Sequence, residues 1–170
     1  MSIRSIIGGL IDANVRFVVV GMAAGQLHGS RSLTEDVDVV YNDDAANVAR
    51  LGNYLTSIGA YIQELSPNEG FAADFTVDRL ADEKNLTLGS REGEIDVLHH
   101  IDGIGTYDEV VAKSQPLVVD GRRALVLSID GLIISKRAAH RPKDLLHIPE
   151  LESLRELLNL KNDPKRSPEL

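Results

Sequence analysis

Asp36 and Asp38 alternate with Val37 and Val39 in the run Thr34-Glu35-Asp36-Val37-Asp38-Val39-Val40-Tyr41. Strand side chains alternate faces, so this spacing points both carboxylates one way and both valines into a core. Two anions one strand repeat apart repel each other, which raises a pKa or destabilises the strand unless a cation lies between them. A hard divalent ion such as Mg²⁺ is the natural cation, because it takes one or two carboxylates and fills its remaining positions with water and phosphate oxygens. A second run, Glu94-Ile95-Asp96-Val97-Leu98, again sets acids among apolar residues. If Asp96 comes to lie beside Asp36 and Asp38, the three carboxylates suit a two-metal centre and in-line phosphoryl displacement. Glu94 shares the face of Asp96 and is a reserve ligand.

The elements that must position these acids begin with a strand over 16–20, apolar at its end and therefore central. Gly21 turns the chain into a helix over Met22–Leu27, whose first amides form an anion site. His28 either closes that helix or contacts substrate, and Arg31 is either a phosphate contact or a solvated side chain. The series Gly21, Gly25, Gly29 lacks the G-x-G-x-x-G spacing of a dinucleotide loop, so Gly25 is read as a close-packing position. His99 and His100 are adjacent and point to opposite faces, and with Asp102 they do not make a zinc site.

These residues resemble the nucleotidyltransferase superfamily with the DNA-polymerase-β-like fold: a strand, a Gly-Gly or Gly-Ser turn opening a helix, then Asp-x-Asp and a later third acid. Val18-Val19-Val20-Gly21, Asp36, Asp38 and Asp96 match that pattern. His28-Gly29, Arg31, Thr34, Asp36 and Asp38, with Lys136, Arg141, Lys143 and Asp144, look still more like small standalone bacterial members similar to abortive-infection toxin nucleotidyltransferases. One departure stands out: Met22 occupies the position of the second glycine or small hydroxyl residue. Its thioether either turns into the core and leaves the backbone amide usable, or lies across the phosphate path, in which case triphosphate binding is weak and Met22→Gly improves it. Gly29-Ser30 is not the turn, because only five residues separate Ser30 from Asp36.

Around this centre the pattern predicts a scaffold of helices and hairpins. Ile3, Ile6, Ile7, Leu10 and Ile11 define a helix over 2–13. Ala45, Val48, Leu51, Leu55 and Ile58 define another, capped by Asn42 or Asp43 and stopped by Gly59. Residues 61–84 resist parsing: Pro67, Asn68 and Gly70 mark a turn, and Phe71 to Leu80 form a short helix or a lid. Asn85 to Leu88 pairs with Glu94 to Leu98 as a hairpin, and Asp120-Gly121 makes a tight hairpin between 117–119 and 122–127. A helix over 128–140, capped by Ser128, ends in Lys136 and Arg137. Lys136 is either a snorkelling surface lysine or a neighbour of the nucleotide and the acids. Pro149 precedes a last helix with Leu151, Leu154, Leu157 and Leu158 on one face. Residues 163–170 read as a frayed tail.

The 170 residues fit one domain, 1–162, of α/β class: a small mixed sheet flanked by helices. With 43% hydrophobic and 26% charged residues the composition is that of a globular chain. There is no cysteine, which excludes disulfides and thiolate metal sites. No run is long and apolar enough to span a membrane, no secretory leader is visible, and the expected location is cytoplasmic. The net charge of −8 disfavours general nucleic-acid binding. The charge is uneven: residues 1–119 hold 18 acids against 8 Lys and Arg, whereas 120–147 hold six Lys and Arg against three acids. A positive wall facing an acidic metal site suits an anionic substrate.

The resemblance implies Mg²⁺- or Mn²⁺-dependent transfer of a nucleoside monophosphate from a nucleoside triphosphate, ATP among the candidates, to an acceptor that is a protein, a tRNA or a small molecule. Asp36, Asp38 and Asp96 would be the metal and catalytic residues, and Gly21, Met22, Arg31 and Lys136 would line the nucleotide. The alternative is a nucleotidyltransferase-like binding or regulatory module without transfer, with a protein partner as in a toxin-antitoxin-like pair.

Overall fold

The computed structural model describes residues 3–63, 80 and 85–161. The turn expected at residues 67–70, the segment 71–79 and the tail 163–170 lie outside the described residues. Helix α1 (Ile3–Asp12) buries Ile6, Ile7 and Leu10 on one stripe, and strand β1 (Phe17–Val20) is buried throughout. Helix α2 (Gly21–Leu27) follows without a loop. Strand β2 (Asp36–Tyr41), helix α3 (Ala45–Ser57) and the short strand β3 (Tyr61–Ile62) come next. Strands β4 (Asn85–Gly89) and β5 (Glu94–Leu98) form the expected hairpin. Past them lie a two-stranded ribbon, β6 (His100–Ile101) with β7 (Gly105–Thr106), and helix α4 (Tyr107–Ala112). Strands β8 (Ser114–Val119) and β9 (Arg122–Leu127), helix α5 (Ile129–Ala139) and helix α6 (Pro142–Lys161) complete the described residues.

Among the described residues seven strands make one mixed sheet in the order β3-β4-β5-β2-β1-β9-β8. The centre is β5-β2-β1-β9, with β2–β5 and β1–β9 parallel and β1–β2 antiparallel. Strands with both faces covered read as apolar runs, as β1 does; β2 instead shows Val37 and Val39 fully buried and Asp36 and Asp38 half-buried, so the side facing its acids is open. The helix cap on α3 is Asp44, whose side chain accepts from Asn47 N at 2.9 Å, rather than Asn42 or Asp43. Asn42 instead braces the turn before the helix, its Oδ1 receiving Asp44 N and its carbonyl receiving Asn47 Nδ2. Gly59 ends the helix at φ +65°, as its sequence position suggests.

Asp120 and Gly121 both take positive φ, which a two-residue hairpin turn demands, and Ser128 caps α5 by accepting from Gly131 N at 3.1 Å. Pro149 does not precede the last helix but lies within it, because Pro142 already starts α6 at a first-turn position where no N–H is required. The longer helix turns Leu157 to solvent, while Leu151 is buried and Leu154 and Leu158 pack on the core.

Candidate active site

The parallel register of β2 and β5 sets Asp38 opposite Asp96 and Asp36 opposite Glu94. One carboxylate oxygen from each of Asp36, Asp38 and Asp96 falls within 4.8 Å of the others. Glu94 is exposed and stays outside this group. Val20 pairs with Asp38 across β1–β2, so the chain leaves β1 directly under the acids. Gly21 has φ +59°, and a Cβ there would overlap the Asp38 carboxylate. Glycine is therefore required twice, for conformation and for space.

Burial, then the charges of Asp36 and Asp96, push Asp38 up to about 7, and the cations of Lys136 and Lys143 offset only part of this. Asp96 is also raised, first by burial and then by Asp36, against a hydrogen bond from Thr87, its register partner on β4. Asp36 accepts a hydrogen bond from Thr34 Oγ1. Three oxygens of hard character, held close and short of positive charge, match what a divalent cation needs.

Facing the acids across a cleft of about 190 Å³ is a second cluster, contributed by α5 and the start of α6. Lys136 Nζ lies 3.0 Å from Asp144 Oδ1, and both side chains are buried. Arg141 Nε donates to Asp144 Oδ2 at 2.5 Å. Burial alone would raise Asp144, but the hydrogen bonds from Arg141 and Lys136 outweigh it and hold the carboxyl below its ordinary value. Lys136 is thus no surface lysine. It lines the cleft together with Gly21, Asp38, Asp96 and Arg141, and with Asn85, His100 and Asp102.

Other residues singled out by the sequence sit elsewhere. Arg31 is exposed, and the cavity it lines, with Ile3, Arg4 and Gln26, is not the acid cleft. His28 Nε2 donates to the Leu127 carbonyl at 2.8 Å, joining the end of α2 to the end of β9, and so closes the helix rather than facing the cleft. Met22 is 5% exposed and does not line the cleft. Its Cε lies 2.9 Å from where a Gly25 Cβ would stand, so Gly25 accommodates this side chain within α2. The missing Cβ at residue 25 gives the thioether an inward berth, away from the acid cleft. His99 pairs with Asp43 at 3.4 Å, and among the described residues the acid triad is the one cluster with metal-ligand geometry.

Sequence reasoning gave no role to Thr87 or Glu150. Thr87 was legible in principle, since the hairpin register places it opposite Asp96. Glu150 Oε1 accepts from Ser30 Oγ at 2.9 Å, Arg31 N at 2.6 Å and Ser32 N at 3.2 Å, and its Oε2 accepts from Ser32 Oγ. No local pattern signals a contact across 118 to 120 residues.

A strand, a glycine corner, a helix and three acids on adjacent strands define a nucleotidyltransferase fold. The solution structure of the antibiotic-resistance factor ANT(2'')-Ia matches at TM-score 0.53 and 13% identity, covering 94% of this chain and 90% of that one. The crystal structure of ANT(2")-Ia with adenylyl-2"-tobramycin matches at 0.51 and 13%, covering 94% and 95%. A putative nucleotidyltransferase from Thermotoga maritima, TM1012, gives 0.49 and 16% over 92% and 90%. No curated protein matches the sequence. Over residues 1–166 the chain belongs to the family described as "Nucleotidyl transferase of unknown function (DUF2204)".

Proposed function

We propose that this protein transfers a nucleoside monophosphate from a nucleoside triphosphate to an acceptor hydroxyl or similar nucleophile, with Mg²⁺ or Mn²⁺ held by Asp36, Asp38 and Asp96. The observation that carries this reading is the convergence of three carboxylates at one end of β2 and β5, opposite the cationic wall of Lys136 and Arg141. The metal would supply positive charge to the reacting phosphoryl oxygens. Asp96, which burial raises above its ordinary value, would complete the site and accept or orient the acceptor's proton. Lys136 and Arg141 share the single negative charge of Asp144, which leaves the wall positive toward a polyphosphate. Gly21 allows substrate to approach the backbone closely. The residues fit a cytoplasmic enzyme without thiol chemistry, and no described helix is long and apolar enough to cross a membrane. The alternative of a module without transfer drew its support from Met22, and the burial of Met22 removes that support.

Incubation with each labelled nucleoside triphosphate, Mg²⁺ or Mn²⁺ and a lysate as acceptor pool tests the reading. The expected outcome is metal-dependent label transfer with pyrophosphate release by wild type, lost in Asp38→Asn with the fold intact. Transfer unchanged in Asp38→Asn would refute the assignment.

A further inference from the structure

Between α2 and β2 the chain runs through residues 28–35 with no strand partner. Gly29 N and Ser30 N bond back to the end of α2, at 3.0 Å to the Gln26 carbonyl and 2.9 Å to that of Gly25. From Arg31 onward such support stops. The amides of Arg31 and Ser32 and the hydroxyls of Ser30 and Ser32 all donate to one carboxylate, Glu150 on α6. Gln26 Nε2 adds a bond to the Ser32 carbonyl at 3.0 Å. Two residues further on, Thr34 donates to Asp36, the first acid of the triad. Leu33, between them, is 91% exposed and anchors nothing. The position of Thr34, and through it the orientation of Asp36, therefore depends on where Ser32 is held.

We propose that Glu150 is a positioning residue for the metal-binding acids, clamping the Ser30–Ser32 loop so that Thr34 meets Asp36. The inference rests on the metal site proposed above and adds a residue that lies outside the cleft. Three observations support it. The donor set is a closed one: two backbone amides and two hydroxyls surround a carboxylate, an arrangement that favours the charged form over a neutral amide. The hydrogen bonds, that from Ser32 foremost, hold Glu150 down to about 2, so the clamp carries its charge at neutral pH. The helix that carries Glu150 also carries Asp144, which holds Lys136 and Arg141 on the facing wall. A single helix therefore sets both sides of the cleft, and Leu154 seats it against Gly29, 3.9 Å from the space a Cβ would take.

The test is calorimetric titration of Mn²⁺ into wild type, Glu150→Ala, Glu150→Gln, Ser32→Ala and, as a control on the same helix, Glu152→Ala, which loses only the exposed pair with Arg137. Outer-sphere partners of metal ligands change affinity by about 10- to 100-fold, and the lower end is expected here because Glu150 acts through two intermediates. Glu150→Ala should weaken Mn²⁺ binding about tenfold. Glu150→Gln, which keeps the acceptor oxygen for the amides, and Ser32→Ala should fall between it and wild type, and Glu152→Ala should match wild type. Should Glu150→Ala fail to fold, the Gln and Ser32 variants give the same ordering. Saturable binding in wild type with equal affinity in the Glu150 and Ser32 variants, whatever their melting temperatures, would overturn the clamp alone. Absence of saturable binding in wild type would overturn the metal site itself, and the clamp's role with it.

Discussion

Asp38 and Asp144 are both carboxylates taken largely out of water on opposite walls of one cleft, and their acidities move in opposite directions. Desolvation raises each of them. Asp144 answers it with Lys136 and Arg141 as direct hydrogen-bonded partners, whereas Asp38 has Asp36 and Asp96 for neighbours, and the cations of Lys136 and Lys143 only partly compensate. Burial thus sets the cost of a charge, and its partners decide whether that cost is met within the chain. One wall is finished by the protein; the other is left short of positive charge at the place where a cation and a polyphosphate would enter.

The largest effect should come from breaking the finished wall. Asp144→Ala strands the Lys136 ammonium in a buried site, and removing one partner of such a pair costs about 3 to 5 kcal/mol. Urea unfolding should show a loss of that order. Lys136→Met combined with Asp144→Leu should recover most of it, since no buried charge is then left unpaired and the exposed Arg141 guanidinium is solvated by water. Equal losses in the single and double variants would mean that packing, not charge, is what Asp144 provides.

The opposite wall should respond in the opposite sense. With a folded pKa of about 7 against an ordinary 3.8, the folded chain keeps a proton on Asp38 that the unfolded chain has released. This contribution is fully present below about pH 4 and is lost as pH rises through 7. Asp38→Asn should therefore stabilise the metal-free protein at pH 8, by on the order of 2 to 4 kcal/mol, and the difference should vanish near pH 4. The same variant should lose the stabilisation by added Mg²⁺ or Mn²⁺ expected of wild type, about 2.7 kcal/mol at 100 times the dissociation constant. A wild-type minus Asp38→Asn stability difference that is flat between pH 4 and 8 would remove the charge conflict as the cause.

A third contrast tests what joins the walls. Burial lowers His28 from its ordinary pKa, and the hydrogen bond to Leu127 restores only part. The unfolded chain takes up a proton below about pH 6.5 that folded His28 resists, so its contribution is complete above that pH and fades as pH falls. His28→Gln should cost about 1 kcal/mol at pH 7.5, and less at pH 5.5. A penalty that grows on acidification would contradict the buried, neutral imidazole.

Legibility in the sequence follows the range of the interactions. The Asp-x-Asp alternation, the Asp120-Gly121 turn and the Ser128 cap are each decided within a few residues, and each stands where the sequence puts it. Asp96 beside Asp38 depends on a parallel register between strands far apart in the chain; the acid and its neighbours could be nominated, but the register that sets Asp96 opposite Asp38 and Glu94 opposite Asp36 could not. Lys136 was ambiguous because snorkelling and burial leave the same residue type on the same helix, and only Asp144 on the next helix decides between them. Pro149 misled because proline stops helices in most contexts; here it falls one turn after exposed Leu145 and Leu146, where water can serve the carbonyl its missing N–H leaves free.

The smallest expected effect belongs to Met22, which follows the glycine that ends β1. Side-chain size after β1 matters only if the side chain faces the phosphate path. Met22 instead folds along α2 over Gly25, among buried neighbours Ala23 and Ala24, while Gly21 alone borders Asp38. A swap that conserves volume, Met22→Leu, should cost less than about 1.5 kcal/mol of stability. It should leave triphosphate affinity in the presence of Mg²⁺ unchanged, whereas Gly21→Ala, which drives a methyl into the Asp38 carboxylate, should abolish it. Calorimetric titration of the two variants against wild type separates the positions. Tighter binding on shortening Met22 would place the thioether in the phosphate path after all and weaken the case for transfer; unchanged binding assigns the whole steric demand of the turn to Gly21.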